Sequence, residues 1–343
     1  MQIMKTAYQN NYGAADVLIV DDVLARPTAR KGDILVKLSY ASLNPIDFHM
    51  RSGYGRQIME RKRKPVWPLV LGRDGVGEVV EVGAEVEGFS TGDVIAFAIG
   101  PEDQGSCAEY CRVPATAAAL VPANIDVRDA ASLCYVALTT WRALVDVAGI
   151  EPGKCSGQHI LVHAGAGGVG SFAIQLLKYW GATVITTCSK ANRDKVIGLG
   201  ADVAIDYKAN QFENVAGSVD GVFDTVGFDY EERSLSIVKK GGFYVSVVTP
   251  MIMNITEKGL PLGMLTSAAT FARQKLRSRR KNVRYGWSLF QSNGVALAYV
   301  LEKMEKGHIV ANIDSEFPLD SISEAHQYLE TGRGSGKIMI SIP

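Results

Sequence analysis

Glycines 165, 167, 168 and 170, in Ala164-Gly165-Ala166-Gly167-Gly168-Val169-Gly170, follow an apolar run, Ile160-Leu161-Val162-His163. A helical pattern comes next: Phe172, Ile174, Leu176 and Leu177 recur up to Trp180. Strand, side-chain-poor turn and helix bring free backbone N–H groups and the positive end of a helix dipole to one point. In a βαβ unit that point receives the pyrophosphate of a dinucleotide. Ala166, Gly167, Gly168 and Val169 are the residues expected against it. The alternative is a turn that needs glycine only for packing. A second apolar run, Ala182-Thr183-Val184-Ile185-Thr186-Thr187, follows at a short βαβ distance and favours the dinucleotide.

Sites for NAD place Asp or Glu about 20 residues past the glycines, on the ribose 2′-hydroxyl. Here that position reads Cys188-Ser189-Lys190, with Arg193 and Lys195 beyond it. A hydroxyl and cations without a carboxylate suit a 2′-phosphate, and therefore NADPH. The other reading of Lys190, Arg193 and Lys195 is a solvated helix start.

The elements that must position these residues are legible in coarse form. The chain has 343 residues, enough for about two domains. Residues 1–129 read as β-rich, with strands at Ile34–Tyr40, Gly77–Val82 and Val94–Phe97. Glycines 72, 75, 77, 83, 88 and 92 mark their corners, as in a small, partly open barrel. Residues 130–290 alternate. A helix over Ala130–Val147 precedes the glycine-rich unit, and a helix over Asn192–Leu199 follows the second strand. Further strands are expected at Val203–Ile205, Gly221–Asp224, Gly242–Val248 and Val283–Phe290. This predicts an α/β fold, a doubly wound parallel Rossmann sheet. Thr225 follows the fourth strand, and Val247, Ser288 and Phe290 end later strands. Helices over Val295–Lys306 and Ser321–Leu329 and a strand over Lys337–Ile342 form the tail. That tail is expected to rejoin the barrel, so residues 1–129 and 291–343 make one domain and 130–290 the other.

Composition narrows the classes. Lys plus Arg and Asp plus Glu are 36 each, and formal net charge is zero. There is no global pull toward nucleic acid or anionic membrane. Five scattered cysteines argue against a disulfide framework and for a reducing, intracellular compartment. No apolar run is long enough to span a bilayer. Met1-Gln2-Ile3-Met4-Lys5-Thr6 reads as neither a signal peptide nor a transit peptide. One segment is strongly basic: Arg273, Lys275, Arg277, Arg279, Arg280, Lys281 and Arg284. It reads as a solvated helix, or as a patch for anionic membrane or for phosphates.

Gly72-Arg73-Asp74-Gly75-Val76-Gly77, Gly92-Asp93-Val94 and the Ala164 loop lie in the order seen in a known family. The chain resembles the medium-chain dehydrogenases/reductases, in their zinc-independent, quinone oxidoreductase-like branch. A closer likeness is to a mitochondrial NADPH oxidoreductase subfamily. Ala41-Ser42-Leu43-Asn44-Pro45-Ile46-Asp47, Met50-Arg51-Ser52-Gly53-Tyr54-Gly55, Tyr135-Val136-Ala137-Leu138-Thr139 and Val248-Thr249-Pro250 carry it, with the insert after Pro250. The resemblance implies a GroES-like β-barrel, a Rossmann domain and NADPH-dependent reduction in the cleft between them, in a mitochondrial or cytoplasmic protein. Relatives often pair as homodimers.

Asn44 resembles the first zinc-ligand position of the family's zinc enzymes, and Arg73 that of their histidine. Neither is a usual ligand, so no metal is expected. Without that Lewis acid, quinones and α,β-unsaturated carbonyls are the acceptors to expect. Tyr54 resembles the catalytic tyrosine of related enoyl thioester reductases, and a turn tyrosine is the alternative. Asn44 is expected to orient nicotinamide or substrate. Asp47 either holds its loop or does chemistry, and Arg51 could attract an anionic acceptor. Tyr207 resembles the family's adenosine-side tyrosine. The competing classes are an enoyl thioester reductase and an NADPH-binding sensor with little turnover.

Overall fold

A computed structural model describes residues 2–62, 67–102 and 104–343. The chain divides into two compact units, Met1–Leu138 with Gln291–Pro343, and Thr139–Phe290.

Short apolar runs cut by glycine turns give the first unit its strands: β1 (Ile3–Gln9), β2 (Ile19–Ala25), β3 (Asp33–Leu43), β4 (Leu69–Val70), β5 (Asp74–Val82), β6 (Val94–Ala98), β7 (Tyr110–Pro114) and β8 (Ala118–Leu120). Helices α1 (Pro45–Arg51) and α2 (Arg56–Lys62) lie between β3 and β4, and α3 (Val127–Trp141) leads out. The unit border falls inside α3, later than the expected 129/130, because that helix is continuous from Val127. It then widens into a π-helical turn, Arg142–Val147.

The second unit alternates as expected: β9 (His159–Val162), α4 (Gly168–Tyr179), β10 (Thr183–Cys188), α5 (Arg193–Gly198), β11 (Val203–Asp206), α6 (Phe212–Ala216), β12 (Val219–Asp224), α7 (Asp229–Ile237) and β13 (Val238–Ser246). The insert after Pro250 forms α8 (Met251–Lys258) and α9 (Leu260–Arg280), and β14 (Arg284–Trp287) closes the unit. All these strands are parallel, in the order β11-β10-β9-β12-β13-β14. Because β9 comes first in sequence, the chain winds outward to both sides of it. The switch point of this Rossmann sheet is therefore between β9 and β12. Ile160, Leu161 and Val162 are all fully buried, as a strand covered on both faces requires. β13 and β14 stop at Ser246 and Trp287, short of the expected Val248 and Phe290.

The tail, α10 (Gly294–Glu305), β15 (Ile313–Pro318), α11 (Ile322–Glu330) and β16 (Lys337–Ser341), returns to the first unit. β16 pairs antiparallel with β3, Ile338 opposite Leu43. The resulting path is β15-β16-β3-β5-β6-β8, with β7 also on β3. Ile34, Val36, Leu38, Ile95, Phe97, Ile338 and Ile340 pack its core. Among the described residues no helix is long and apolar enough to cross a membrane.

Candidate functional site

In the second unit every parallel strand ends on the same sheet edge. There β9 runs into the Ala164 loop, β10 into Ser189, β11 into Tyr207, β12 into Thr225, β13 into Val247 and β14 into Ser288. The main chain stitches this edge. Gly165 N donates to Thr187 O (2.9 Å), Val247 N to Asp224 O (3.1 Å) and Ser288 N to Ser246 O (2.8 Å). Thr225 Oγ1 donates to His163 O at 2.8 Å. The sequence-predicted residues Ala166, Gly167, Gly168, Val169, Ser189, Lys190, Arg193, Tyr207, Thr225, Val247 and Ser288 are thus brought to one rim, with Phe290 further along the exit from β14.

The glycines divide the work. A Cβ on Gly165 would strike Thr186 Oγ1, and one on Gly170 would strike Ala164 O. These two let the loop lie on β10 and let α4 lie on the loop. Gly167 differs: its Cβ would meet only Ala164 O, at 3.5 Å. Gly167 is also the N-cap of α4, and no side chain caps that helix. Its first N–H groups therefore remain available to an anion. Thr187 Oγ1 accepts Ala164 N at 3.0 Å and so fixes the loop. The residues present fit a pyrophosphate.

Beside this cradle, Lys190 and Arg193 are exposed and enter no ion pair among the described residues. The carboxylate at the end of β11 is tied into its own turn: Asp206 Oδ1 accepts Lys208 N at 3.0 Å. Tyr207 is 46% exposed and lines an open depression with Lys208 and Arg233. Beneath the rim His163 is fully buried, its ring nitrogens against Thr187 Oγ1 (3.2 Å) and Ser234 Oγ (2.9 Å). Burial pushes it down to about 4, so the ring is neutral at pH 7 and structural.

The first unit holds a different polar region. The register of β16 on β3 sets Lys337 beside Asn44: Nζ donates to Asn44 Oδ1 (2.6 Å) and to Leu43 O (2.9 Å). Asn44 Nδ2 approaches Ser42 O and Asp74 Oδ1, each at 3.4 Å. Asp74 also accepts Ser42 Oγ (2.8 Å) and Tyr135 N (3.0 Å). Asp47 accepts Asn44 N (2.8 Å) and Gly72 N (3.0 Å) and so holds its loop. Arg73 donates to Gly100 O (2.8 Å) and Val70 O (3.0 Å). These groups are almost wholly buried. Burial raises Asp47 to about 6, opposed first by Arg73. It raises Asp74 as well, opposed first by Lys337, and lowers Lys337.

Asn44 is thus 1% exposed with both amide ends engaged inside its own unit. Arg51 turns inward too. It is 2% exposed, donates through Nε to Gly13 O (3.2 Å) and pairs with Glu330. It is therefore not available to attract an anionic acceptor. Tyr54 sits half-buried between α1 and α2, flanked by Gly53 (φ +87°) and Gly55 (φ +79°). Its N–H donates to His49 O at 2.9 Å. Its ring lies 4.7 Å from the His49 ring, which burial pushes down in pKa.

A zinc ion does not fit this donor set. Asn44 and Arg73 occupy the ligand positions that the resemblance indicates, and the Lys337 ammonium already sits on the Asn44 carbonyl oxygen. Among the described residues no group of three or more His, Cys, Asp or Glu converges. Lys337 and Thr187 carry parts of these arrangements without any local sequence signal. Asp224 does have a signal, an acid ending a strand. Its Oδ1 accepts Val226 N (2.8 Å) and Gly227 N (3.0 Å), and its Oδ2 accepts the Tyr244 hydroxyl.

A family model described as a zinc-binding dehydrogenase matches residues 199–340, and one for the alcohol dehydrogenase GroES-like domain matches residues 30–123. A zebrafish protein (Danio rerio) named NAD(P)H oxidoreductase RTN4IP1, mitochondrial, is 36% identical over 97% of this chain and 90% of its own length. The tomato (Solanum lycopersicum) 2-methylene-furan-3-one reductase is 34% identical over 98% of this chain and 79% of its own. A solved quinone oxidoreductase from Coxiella burnetii superposes with a TM-score of 0.85 at 33% identity, covering 100% of both chains.

Proposed function

This chain belongs to the medium-chain dehydrogenase/reductase family, in the branch of the RTN4IP1 oxidoreductases, and we propose that it reduces quinones or activated α,β-unsaturated carbonyls with NADPH and without zinc. The observation that carries the reading is the uncapped start of α4 at Gly167, with the unpaired cations Lys190 and Arg193 on the same sheet rim. The relatives' names agree with a nicotinamide carrier, and those of the tomato and Coxiella proteins with enone and quinone acceptors. Mitochondrial residence is proposed on the zebrafish relative's name alone.

When bound, NADPH supplies hydride, so the protein's residues bind, orient and support charge. Backbone N–H groups of Gly168 and Val169, at the start of α4, would hold the pyrophosphate, since the Gly167 N–H already donates to Ala164 O (3.1 Å). Lys190, Arg193 and the Ser189 hydroxyl hold the 2′-phosphate, and Tyr207 lies along the adenosine. Thr225, Val247, Ser288 and Phe290 position the nicotinamide half. Tyr54 donates its phenolic hydrogen bond to the acceptor oxygen as negative charge develops there. Asn44 works as a positioning residue: it stands at the N-cap position of α1, the helix that leads into Tyr54, where its N–H donates to Asp47 Oδ2, and its side chain is held by Lys337.

NADPH consumption with a panel of quinones and enoyl thioesters tests this reading. Turnover of at least one class is expected. Tyr54→Phe should lower kcat about 100-fold while the Kd for NADPH stays unchanged. Unchanged turnover would remove the donor role. Tight NADPH binding without turnover of any acceptor would replace the reductase with a sensor.

A further inference from the structure

Helix α9 is amphipathic in an inverted sense. Its buried positions are Gly263, Ser267, Gln274 and Ser278. A Cβ on Gly263 would strike the α8 backbone at Ile255, and Asn254 Nδ2 donates to Ser267 Oγ at 3.0 Å. Phe271 packs on the rings of Tyr285 and Trp287, at 5.7 and 5.0 Å. Small and polar groups, with one aromatic ring, thus seat the helix.

The opposite face carries the aliphatic residues. Leu262, Leu265, Ala269, Ala272 and Leu276 are spaced by three, four, three and four residues, a single stripe along the helix. Leu262 is 54% exposed, Leu265 67% and Leu276 54%. Both alanines are exposed. At 100° per residue, Arg273, Arg277 and Arg280 run along one flank of the stripe, and Lys275 and Arg279 along the other. Residues 258–301 contain eight Lys and Arg and no Asp or Glu. The dipole at the end of α9 favours cations only in its last turn. It explains neither the rest of the run nor the outward leucines.

We infer that the exposed face of α9 docks the protein on the surface of an anionic lipid bilayer. An apolar stripe edged by long cationic side chains lies in the plane of an interface, with leucines entering the acyl boundary and Arg and Lys reaching the headgroups. A second copy of the chain fits this face poorly. Stripe against stripe would bring two strongly basic flanks together, and the acid on the flank, Glu232, is already paired with Arg277 of its own chain at 3.0 Å.

The test is flotation of the full chain with phosphatidylcholine vesicles and with phosphatidylcholine–phosphatidylglycerol vesicles at about 7:3. Binding to the mixed vesicles only, weakened by salt, is expected. The pair Leu265→Asp and Leu276→Asp should lower partitioning about tenfold or more. The triple Arg279→Glu, Arg280→Glu and Lys281→Glu should do the same with an unchanged thermal melt, and it serves if the leucine variant fails to fold. No binding to mixed vesicles overturns the inference, as does binding unaffected by the charge reversal. A solution dimer that Leu276→Asp breaks, in a protein that does not float, would assign the face to a second copy instead.

Discussion

The rim of the Rossmann sheet and the charge cluster of the barrel unit are both polar, but they are held together by opposite means. At the rim the start of α4 offers uncapped backbone N–H groups, and the cations Lys190 and Arg193 stand exposed beside it. In the cluster the charges of Asp47, Arg73, Asp74 and Lys337 are buried and spent on one another or on backbone. One region keeps unsatisfied capacity for a ligand. The other uses its capacity to hold α1 and the strands beside it. A polar region is a candidate binding site when its hydrogen bonds are left over, and a frame when they close on themselves.

The sharpest way to break this contrast is within the rim itself. Gly170→Val forces a branched side chain into the Ala164 carbonyl, and a loss of about 4 kcal/mol or failure to fold is expected. Gly167→Ala meets only ordinary contact there. It should stay within about 1 kcal/mol of the parent while weakening NADPH binding about tenfold. Urea denaturation and fluorescence titration measure the two effects. Equal destabilisation by both changes would show that Gly167 is packing as well.

In the cluster, Lys337→Met removes the cation facing two buried carboxylates. A cost of about 3–5 kcal/mol is expected at neutral pH. It should shrink toward pH 5, because burial raises Asp47 to about 6 and it takes up a proton there, and burial shifts Asp74 in the same direction. A variant as stable as the parent at pH 7 would mean that the cluster frames nothing.

The next effect is smaller and comes from neutral, buried histidines. His163 and His326 are pushed down to about 4 and about 3 by burial. The unfolded chain binds protons at about 6.5, so between these values it holds more protons than the folded chain. Stability must then fall as pH falls from about 6.5 to 4, by up to about 3 kcal/mol for His163. His163→Gln should flatten that slope in denaturation curves taken across the range. An unchanged slope would place the acid sensitivity elsewhere.

The rim was legible because each of its residues directly follows a strand whose apolar run is visible, and the loop glycines are contiguous. Thr225, Val247 and Ser288 needed only strand ends, and errors of one to three residues there did not move them off the rim. The cluster was only half legible. Asn44, Asp47 and Arg73 stood out as polar residues in glycine-rich stretches, but Lys337 lies 293 residues from Asn44. Nothing local shows that β16 will lie on β3 in the register that joins them. Arg51 misled for the same reason. Its partner Glu330 is on α11, 279 residues away, so an inward cation looked like an outward one.

The claim on which most depends is that Lys190 and Arg193 receive a 2′-phosphate at the sheet rim. Titrating NADPH and NADH into the parent and into Lys190→Glu, Arg193→Glu tests it most directly. NADPH affinity should fall about 100-fold or more while NADH affinity changes little. Equal losses for both carriers, or none for either, would contradict it.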